Sequence, residues 1–329
     1  MNYLPSSAIT SEQAAFRSRI CCRITDLASK YLQQVNIGVP LQDLTTFRIG
    51  GRAQGVCRIR TIADAQKFQA FAREQDVPVA ILGGGSNILA DDRGFCGLVL
   101  HLENDLCTVH GDVMRVGAGL NFDRLIEQSL ATGLCGLEFA SGIPGTLGGA
   151  VVGNAGCYGH EISEFVHSAT LLRADGRLQQ VGPEDLVFAY RSSALKQSGD
   201  ILLEVELKLN RGDTTAAWRT RQEKIEIRRR KHPVRRPCAG SFFKNLPPAR
   251  PGGQRRAAGE LLEKVGAKTM REGDAAVYEK HANIIVNEGQ ATCSQVLALA
   301  DRMQEAVREH FGVTLYPEVR YLPWILRAS

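Results

Sequence analysis

The chain has 329 residues, 44% of them hydrophobic and 23% charged, and a formal net charge of +5. That length exceeds what a single hydrophobic core organises, so two or three domains are expected, with the composition of an ordinary soluble globular protein. No apolar run approaches the roughly 18–20 residues that a bilayer-spanning helix needs.

In chain order, residues 11 to 34 read as one amphipathic helix, with Phe16, Ile20, Ile24, Leu27 and Tyr31 at helical spacing. The stretch has no continuous apolar core after a basic start, so it is not a secretory signal, and Glu12 and Asp26 count against a transit peptide. The body starts near Ile37. Strands are predicted at 77–82, 97–102 and 113–119, and Asn121 caps a helix that ends before Gly133. Residues 168–181 alternate on either side of Asp175-Gly176, which marks a hairpin, and 201–210 read as a half-buried strand. The texture changes at Arg211. Asp213 or Thr214 caps a basic helix that must stop before Pro233, because proline cannot continue it. A helix over about 257–265 closes at Gly266; a strand is predicted at 281–287, a helix from Thr292 to about Phe311, and a last strand at 313–322. The fold class expected is α+β, in two regions that meet near residue 211.

Nine cysteines without a CxxC pair argue against a zinc ribbon or a thioredoxin-like site, and read as unpaired thiols of a reducing cytoplasm; no metal is expected. From Trp218 to Arg256 there are 13 Lys or Arg against Glu223 and Glu226 alone. A basic segment of this kind faces either a solvated surface or an anionic partner, nucleic acid or a phosphorylated small molecule. Aromatic residues are sparse there (Trp218, Phe242, Phe243) and no nucleic-acid-binding module is recognisable, which favours the small molecule.

Two glycine-rich loops dominate the first half. Gly83-Gly84-Gly85-Ser86-Asn87 follows a strand, and Gly142-Ile143-Pro144-Gly145-Thr146-Leu147-Gly148-Gly149 follows 137–141. Glycine leaves successive backbone N–H groups bare and able to converge on a phosphate. Neither loop fits the Rossmann fingerprint or a P-loop. A third segment, Thr46-Phe47-Arg48-Ile49-Gly50-Gly51, lies upstream.

The segments ILGGGSN, GLEFASGIPGTLGGAVVGNAG, FAYRSS, AGSFFKN, EKHANIIVN and LYPEVR occur in that order. Together they closely resemble the UDP-N-acetylenolpyruvoylglucosamine reductases, over about Val35 to Leu322. The resemblance implies an FAD-binding fold of the vanillyl-alcohol oxidase type, in two subdomains (35–105 and 106–212, the second joined by the last strand 313–322). A substrate-binding α+β domain (213–312) follows, and residues 1–34 form a helical extension. It implies non-covalent FAD held by Arg48, Gly50, the run Gly83 to Asn87, Gly142 to Thr146, Gly148 and Gly149. It implies NADPH as reductant, UDP-N-acetylglucosamine enolpyruvate as substrate, a ping-pong cycle in one pocket, a cytoplasmic setting and a monomer, with no nucleic-acid or membrane partner. Arg191, Ser241 and Glu318 fall on the catalytic positions, with Ser241 as proton donor; Tyr190, Lys231, Asn245 and His281 fall on substrate-binding ones. A guanidinium aimed at the substrate carboxylate opposes charge that develops as hydride arrives at the neighbouring carbon.

The sequence departs from the family pattern at Leu246, which intervenes before Pro247, in the long basic run to Arg256, and at Asp274 and Tyr278. No insertion follows the Tyr190-Arg191 segment, as in the shorter subclass that lacks a tyrosine loop. The rival reading, an alcohol or lactone oxidase on the same scaffold, would need no Ser241 and Glu318 pairing, and none of the seven histidines sits in either glycine loop to tether a flavin. Precipitating the purified chain with acid is therefore expected to release all of its flavin as free FAD; yellow colour retained in the pellet would contradict this.

Overall fold

The computed structural model describes residues 10–248, 250 and 253–325. The first element, α1 (Ser11–Lys30), begins at a reciprocal cap: Thr10 accepts from the Gln13 N–H while the Gln13 side chain accepts from the Thr10 N–H. It ends four residues short of the predicted stop. Its apolar stripe of Ile20, Ile24, Leu27 and Ala28 is buried on the first sheet, so the helix is part of that unit rather than an appendage. A side chain at Gly55 would reach 2.6 Å from the Ile24 methyl, which is why a bare backbone sits there.

That first sheet has the order β1-β2-β5-β3, from β1 (Val35–Pro40), β2 (Arg52–Ile59), β3 (Val79–Leu82) and β5 (Phe95–Leu102). β2 and β3 both run parallel to β5, and α2 (Ile62–Glu74) connects β2 to β3. The short β4 (Ile88–Ala90) stands outside this sheet.

A second, antiparallel sheet has the order β9-β8-β10-β7-β6. It is built from β6 (Cys107–His110), β7 (Val113–Gly117), β8 (Val166–Leu172), β9 (Leu178–Val181) and β10 (Ile201–Lys208). The Asp175-Gly176 hairpin is present, with Gly176 at φ 93°. Between β7 and β8 come α3 (Phe122–Ala131), capped by the Asn121 side chain as expected, and α4 (Leu147–Val152), capped by Thr146. These two sheets share one core.

The basic helix α5 (Thr214–Lys231) is capped by Asp213 and ends before Pro233. Expected to open the substrate-binding unit, it instead packs on the second one: Arg221, 4% exposed, pairs with Asp123 at 2.6 Å and Glu127 at 2.6 Å, both on α3, and Ala217 joins the shared core. The third unit then has its own sheet, β11-β14-β13-β12, formed by β11 (Cys238–Ser241), β12 (Arg271–Glu272), β13 (Ala275–Val277) and β14 (Ile284–Asn287). It packs against α6 (Ala258–Lys264) and α7 (Cys293–Phe311) over a separate core.

Two sequence expectations change here. The strand predicted at 281–287 starts only at Ile284, because His281, Ala282 and Asn283 form a turn closed by the Ile284 N–H to His281 carbonyl bond at 3.0 Å. The last strand is β15 (Arg320–Leu322) alone, since residues 316–318 pair instead with 242–244 around an isolated bridge of Phe243 and Pro317. β15 runs parallel to β4, so it joins the first unit and not the second sheet.

Phe47, Ile49 and Leu89 of the first unit are buried in the third unit's core, and Thr46 exchanges backbone and side-chain hydrogen bonds with Cys238. In α1, Ile24→Ala should lower unfolding free energy by about 2–5 kcal/mol, the usual cost of a buried large-to-small change. Urea titration followed by far-UV circular dichroism checks it, and an unchanged midpoint would detach the helix from the core.

Candidate active site

One continuous cleft of about 3420 Å³ runs between the three units. Pockets that take one small ligand measure roughly 300–1,000 Å³, so this one has room for a dinucleotide and a second nucleotide-sized molecule. Its floor is made by the two glycine loops, which lie against each other. The Ser86 hydroxyl donates to the Pro144 carbonyl at 3.1 Å; a side chain on Gly84 would sit 3.0 Å from the Gly145 Cα, and one on Gly145, at φ 114°, 2.5 Å from the Ser86 Oγ. A side chain on Gly83 would collide with the Thr146 hydroxyl, and one on Gly85, at φ 61°, with the Leu44 carbonyl. Gly148 is pressed on Ala118 in the same way, whereas Gly149 leaves open space on the cleft side. The glycines therefore serve first to bring two loops together; the exposed backbone left between them is the cradle the sequence suggests, and it suits the phosphates and ring edge of a flavin dinucleotide.

Of the expected cofactor-binding residues, Arg48, Gly83 to Asn87, Gly142 to Thr146, Gly148 and Gly149 line the cleft. Gly50 does not. Its φ of 127° and the closeness of Ala90 Cβ, 2.6 Å from where its own would be, give it a packing reason instead. Asn87 lines the cleft, but its side-chain amide is already committed, donating to the Glu318 carbonyl at 3.1 Å.

Arg191 sits at the tip of a tight turn in which Ala189 and Ser192 exchange both backbone hydrogen bonds at 3.0 Å. Its φ of 53° is left-handed, a conformation that costs a residue with a side chain on the order of 1 kcal/mol or more. One terminal nitrogen of its guanidinium donates to the Gly156 carbonyl at 2.6 Å. Nε lies 2.9 Å from Glu318 Oε1, an ion pair whose N–H is poorly aimed at the carboxylate oxygen. A guanidinium fixed in the cleft wall is a ready partner for an arriving carboxylate.

Glu318 reaches this point through the backbone. Residues 242–244 and 316–318 run side by side: Lys244 N–H donates to the Tyr316 carbonyl at 2.8 Å, and Glu318 N–H to the Phe242 carbonyl at 2.8 Å. That pairing sets Glu318 beside Phe242, the residue after Ser241, which ends β11 after Gly240 at φ 76°. Burial raises the Glu318 pKa above the usual carboxylate value, against the opposing pull of Arg191, Lys196 and Lys244. Ser241, Arg191 and Glu318 all line the cleft.

Among the substrate-side residues, Tyr190, Asn245 and His281 line the cleft. The Tyr190 hydroxyl accepts from the Asn245 N–H at 3.3 Å, and the Arg255 guanidinium stacks 3.6 Å from its ring centre. The Asn245 side-chain oxygen accepts from Ala258 N–H at 3.1 Å and so caps α6. The His281 ring packs 5.5 Å from that of His232. Burial depresses both imidazoles, His232 to about 4, where the nearby Arg228 cation adds to the effect.

Lys231 is the exception: it is exposed and stands outside the cleft wall. Arg228 and His232, one helical turn apart, line the wall instead, with the Arg228 side chain against Gly142. Arg228, His232 and Lys196 are the residues that reading the sequence passed over. For Arg228 and His232 the signal was the helical period: in a run of four basic residues, only the position on the face turned toward the glycine loop enters the site.

The chain's two halves match two family models. Residues 53–182 match an FAD-binding domain, and residues 232–322 match the C-terminal domain of UDP-N-acetylenolpyruvoylglucosamine reductase. UDP-N-acetylenolpyruvoylglucosamine reductase 2 of Symbiobacterium thermophilum is 41% identical over 87% of this chain and 92% of its own length. The reductase of Chloroherpeton thalassium is 38% identical over 91% of this chain and 96% of its own. Among solved structures, UDP-N-acetylenolpyruvylglucosamine reductase from Thermus caldophilus superposes with a TM-score of 0.73 at 34% identity, covering 87% of this chain and 98% of that one. A glycine cradle sized for a dinucleotide, beside an ion pair of an arginine and a half-buried carboxylate, stands in a chain alike along nearly its whole length to these reductases: the chain belongs to the UDP-N-acetylenolpyruvoylglucosamine reductase family.

Proposed function

We propose that this chain reduces UDP-N-acetylglucosamine enolpyruvate to UDP-N-acetylmuramate with NADPH and bound FAD, a step in the synthesis of peptidoglycan precursors. The observation that carries the residue assignment is the Arg191–Glu318 pair, 2.9 Å apart in the wall of the glycine cradle and tied by the Phe242 carbonyl to the strand that ends at Ser241. FAD supplies the chemistry that amino acids lack, accepting hydride from NADPH and delivering it to the enolpyruvyl group. The cradle residues from Gly83 and from Gly142 hold it without a covalent bond.

In this reading the Arg191 guanidinium, held by Glu318 and by the Gly156 carbonyl, faces the substrate carboxylate. Hydride arrives at the outer vinyl carbon, charge gathers on the carbon beside the carboxylate and on its oxygens, and the fixed guanidinium opposes that charge. The Ser241 hydroxyl then gives its proton to the carbon beside the carboxylate, which completes the addition of one hydride and one proton across the double bond. A serine hydroxyl is a weak acid in water and acts here because the acceptor is a carbanion-like enolate at short range. Glu318, its pKa raised by burial, supports the proton's path and fixes the guanidinium. Tyr190, Asn245 and His281 line the sugar-nucleotide side. Lys231 attracts phosphate only at the mouth of the cleft. The boundaries of the units, a cytoplasmic setting and a monomeric enzyme complete the proposal.

Three variants test it. Gly145→Val should strip FAD, since its side chain would drive the two loops apart; the ratio of flavin to protein absorbance checks this, with far-UV circular dichroism confirming the fold. Ser241→Ala should leave NADPH-driven loss of flavin absorbance near normal and slow its return on adding the enolpyruvyl substrate by on the order of 10²-fold or more, as for loss of a positioned general acid. Glu318→Gln should impair the same half. Equal slowing of both halves in Ser241→Ala would make the serine a structural residue of the pocket.

A further inference from the structure

Lys196 lies five residues after Arg191, in the short helical turn Ala194–Lys196, and its side chain is half-buried in the cleft wall. Its Nζ donates to the Arg191 carbonyl at 2.5 Å, the peptide unit whose residue holds the left-handed φ of 53°. The turn is anchored a second time by Ser193, whose buried hydroxyl donates to the Val152 carbonyl at 2.8 Å. Arg191 is thus gripped at its backbone by Lys196 and at its guanidinium by the Gly156 carbonyl, and its aim at the substrate depends on both.

The charge around Lys196 is unusual. Cations face it from three segments: Arg191 on its own turn, Lys244 after β11, and Arg320 on β15; Glu318 is the one anion among these neighbours. Burial, then Lys244, Arg320 and least of all Arg191, lower the lysine's pKa to about 8, while Glu318 pulls the other way. A buried cation beside like charges is costly, and a surface lysine would satisfy the turn's solvation without that cost. Neither β11 nor β15 uses Lys196 as a packing partner through a hydrogen bond, whereas both catalytic groups, Arg191 and Glu318, feel it.

We infer that Lys196 is a positioning residue for the enolpyruvyl half of the reaction, clamping the Arg191 turn and holding a positive charge against Glu318. The inference rests on the assignment of Arg191 and Glu318 to that half. It has a directional consequence for pH. A cation near Glu318 favours the carboxylate, so removing it moves the Glu318 ionisation to higher pH, and above about pH 8 the wild-type enzyme loses the same cation by deprotonation. The Glu318 ionisation is identified as the one that disappears from the pH profile in Glu318→Gln.

The experiment compares FAD-loaded wild-type, Lys196→Met and Lys196→Arg enzymes by rapid-mixing absorbance of the flavin, each half-reaction recorded from pH 5.5 to 10 in buffers of constant ionic strength. Lys196→Met should slow reoxidation by the enolpyruvyl substrate on the order of tenfold, leave reduction by NADPH within about twofold, shift the Glu318 ionisation upward and abolish the change near pH 8. Lys196→Arg, which stays charged throughout, should restore the position of the Glu318 ionisation and also lack the change near pH 8. Equal slowing of both halves with an unmoved pH profile would reduce Lys196 to scaffold and overturn the inference, as would wild-type behaviour of Lys196→Met. A Lys196→Met protein that cannot hold FAD would overturn it too, since the lysine would then be shaping the cofactor cradle. Should Glu318→Gln leave reoxidation unchanged, the underlying assignment fails, a result separate from any seen with Lys196.

Discussion

The peptide at Glu318 is hydrogen-bonded on both sides, and the arrangement of the cleft follows from it. Its N–H is held by the Phe242 carbonyl of the third unit, and its carbonyl by the Asn87 amide at the end of the first glycine loop. One residue thus ties the substrate-side strand to the cofactor-side loop, while its own carboxylate meets Arg191 from the second unit. Placing three groups from three units within hydrogen-bonding reach needs tolerances of a fraction of an ångström, which loose surface contacts do not provide. A doubly bonded peptide buried between sheets does.

The same constraint explains why burial raises the Glu318 pKa even though cations surround it. The loss of water around the carboxylate outweighs the attraction of Arg191 at 2.9 Å and of Lys196 and Lys244. The pocket's own charges are therefore unbalanced, with one carboxylate against a guanidinium and a set of further cations. This is an electrostatic arrangement suited to an anion that arrives from outside.

Much of the fold was legible because local rules and tertiary structure agree. Asn121, Asp213 and Thr292 cap the helices they were expected to cap, and Asp175-Gly176 turns its hairpin. The failures are equally physical. The last strand shrank to three residues because an isolated antiparallel bridge with 242–244 draws residues 316–318 to the third unit and away from β4. The glycine loops were recognisable as a cradle, but composition alone cannot show that Gly84 and Gly145 exist to touch each other. Lys231 was expected at the substrate by resemblance to the family, and helical phase puts Arg228 and His232 in the cleft wall in its place. Arg191 and Glu318, 127 residues apart in sequence, came together only through resemblance to a family; nothing in their local context pairs them.

The return of β15 to β4 has a mechanical meaning. The third unit leaves the flavin side near Cys238 and comes back at Arg320, so it is attached by two chain crossings and not by a single tether. A body fixed at two neighbouring points can rock about the line that joins them but cannot swivel freely. Exchange of this unit between two molecules would also require both crossings to be undone at once, which makes the topology its own safeguard against domain swapping.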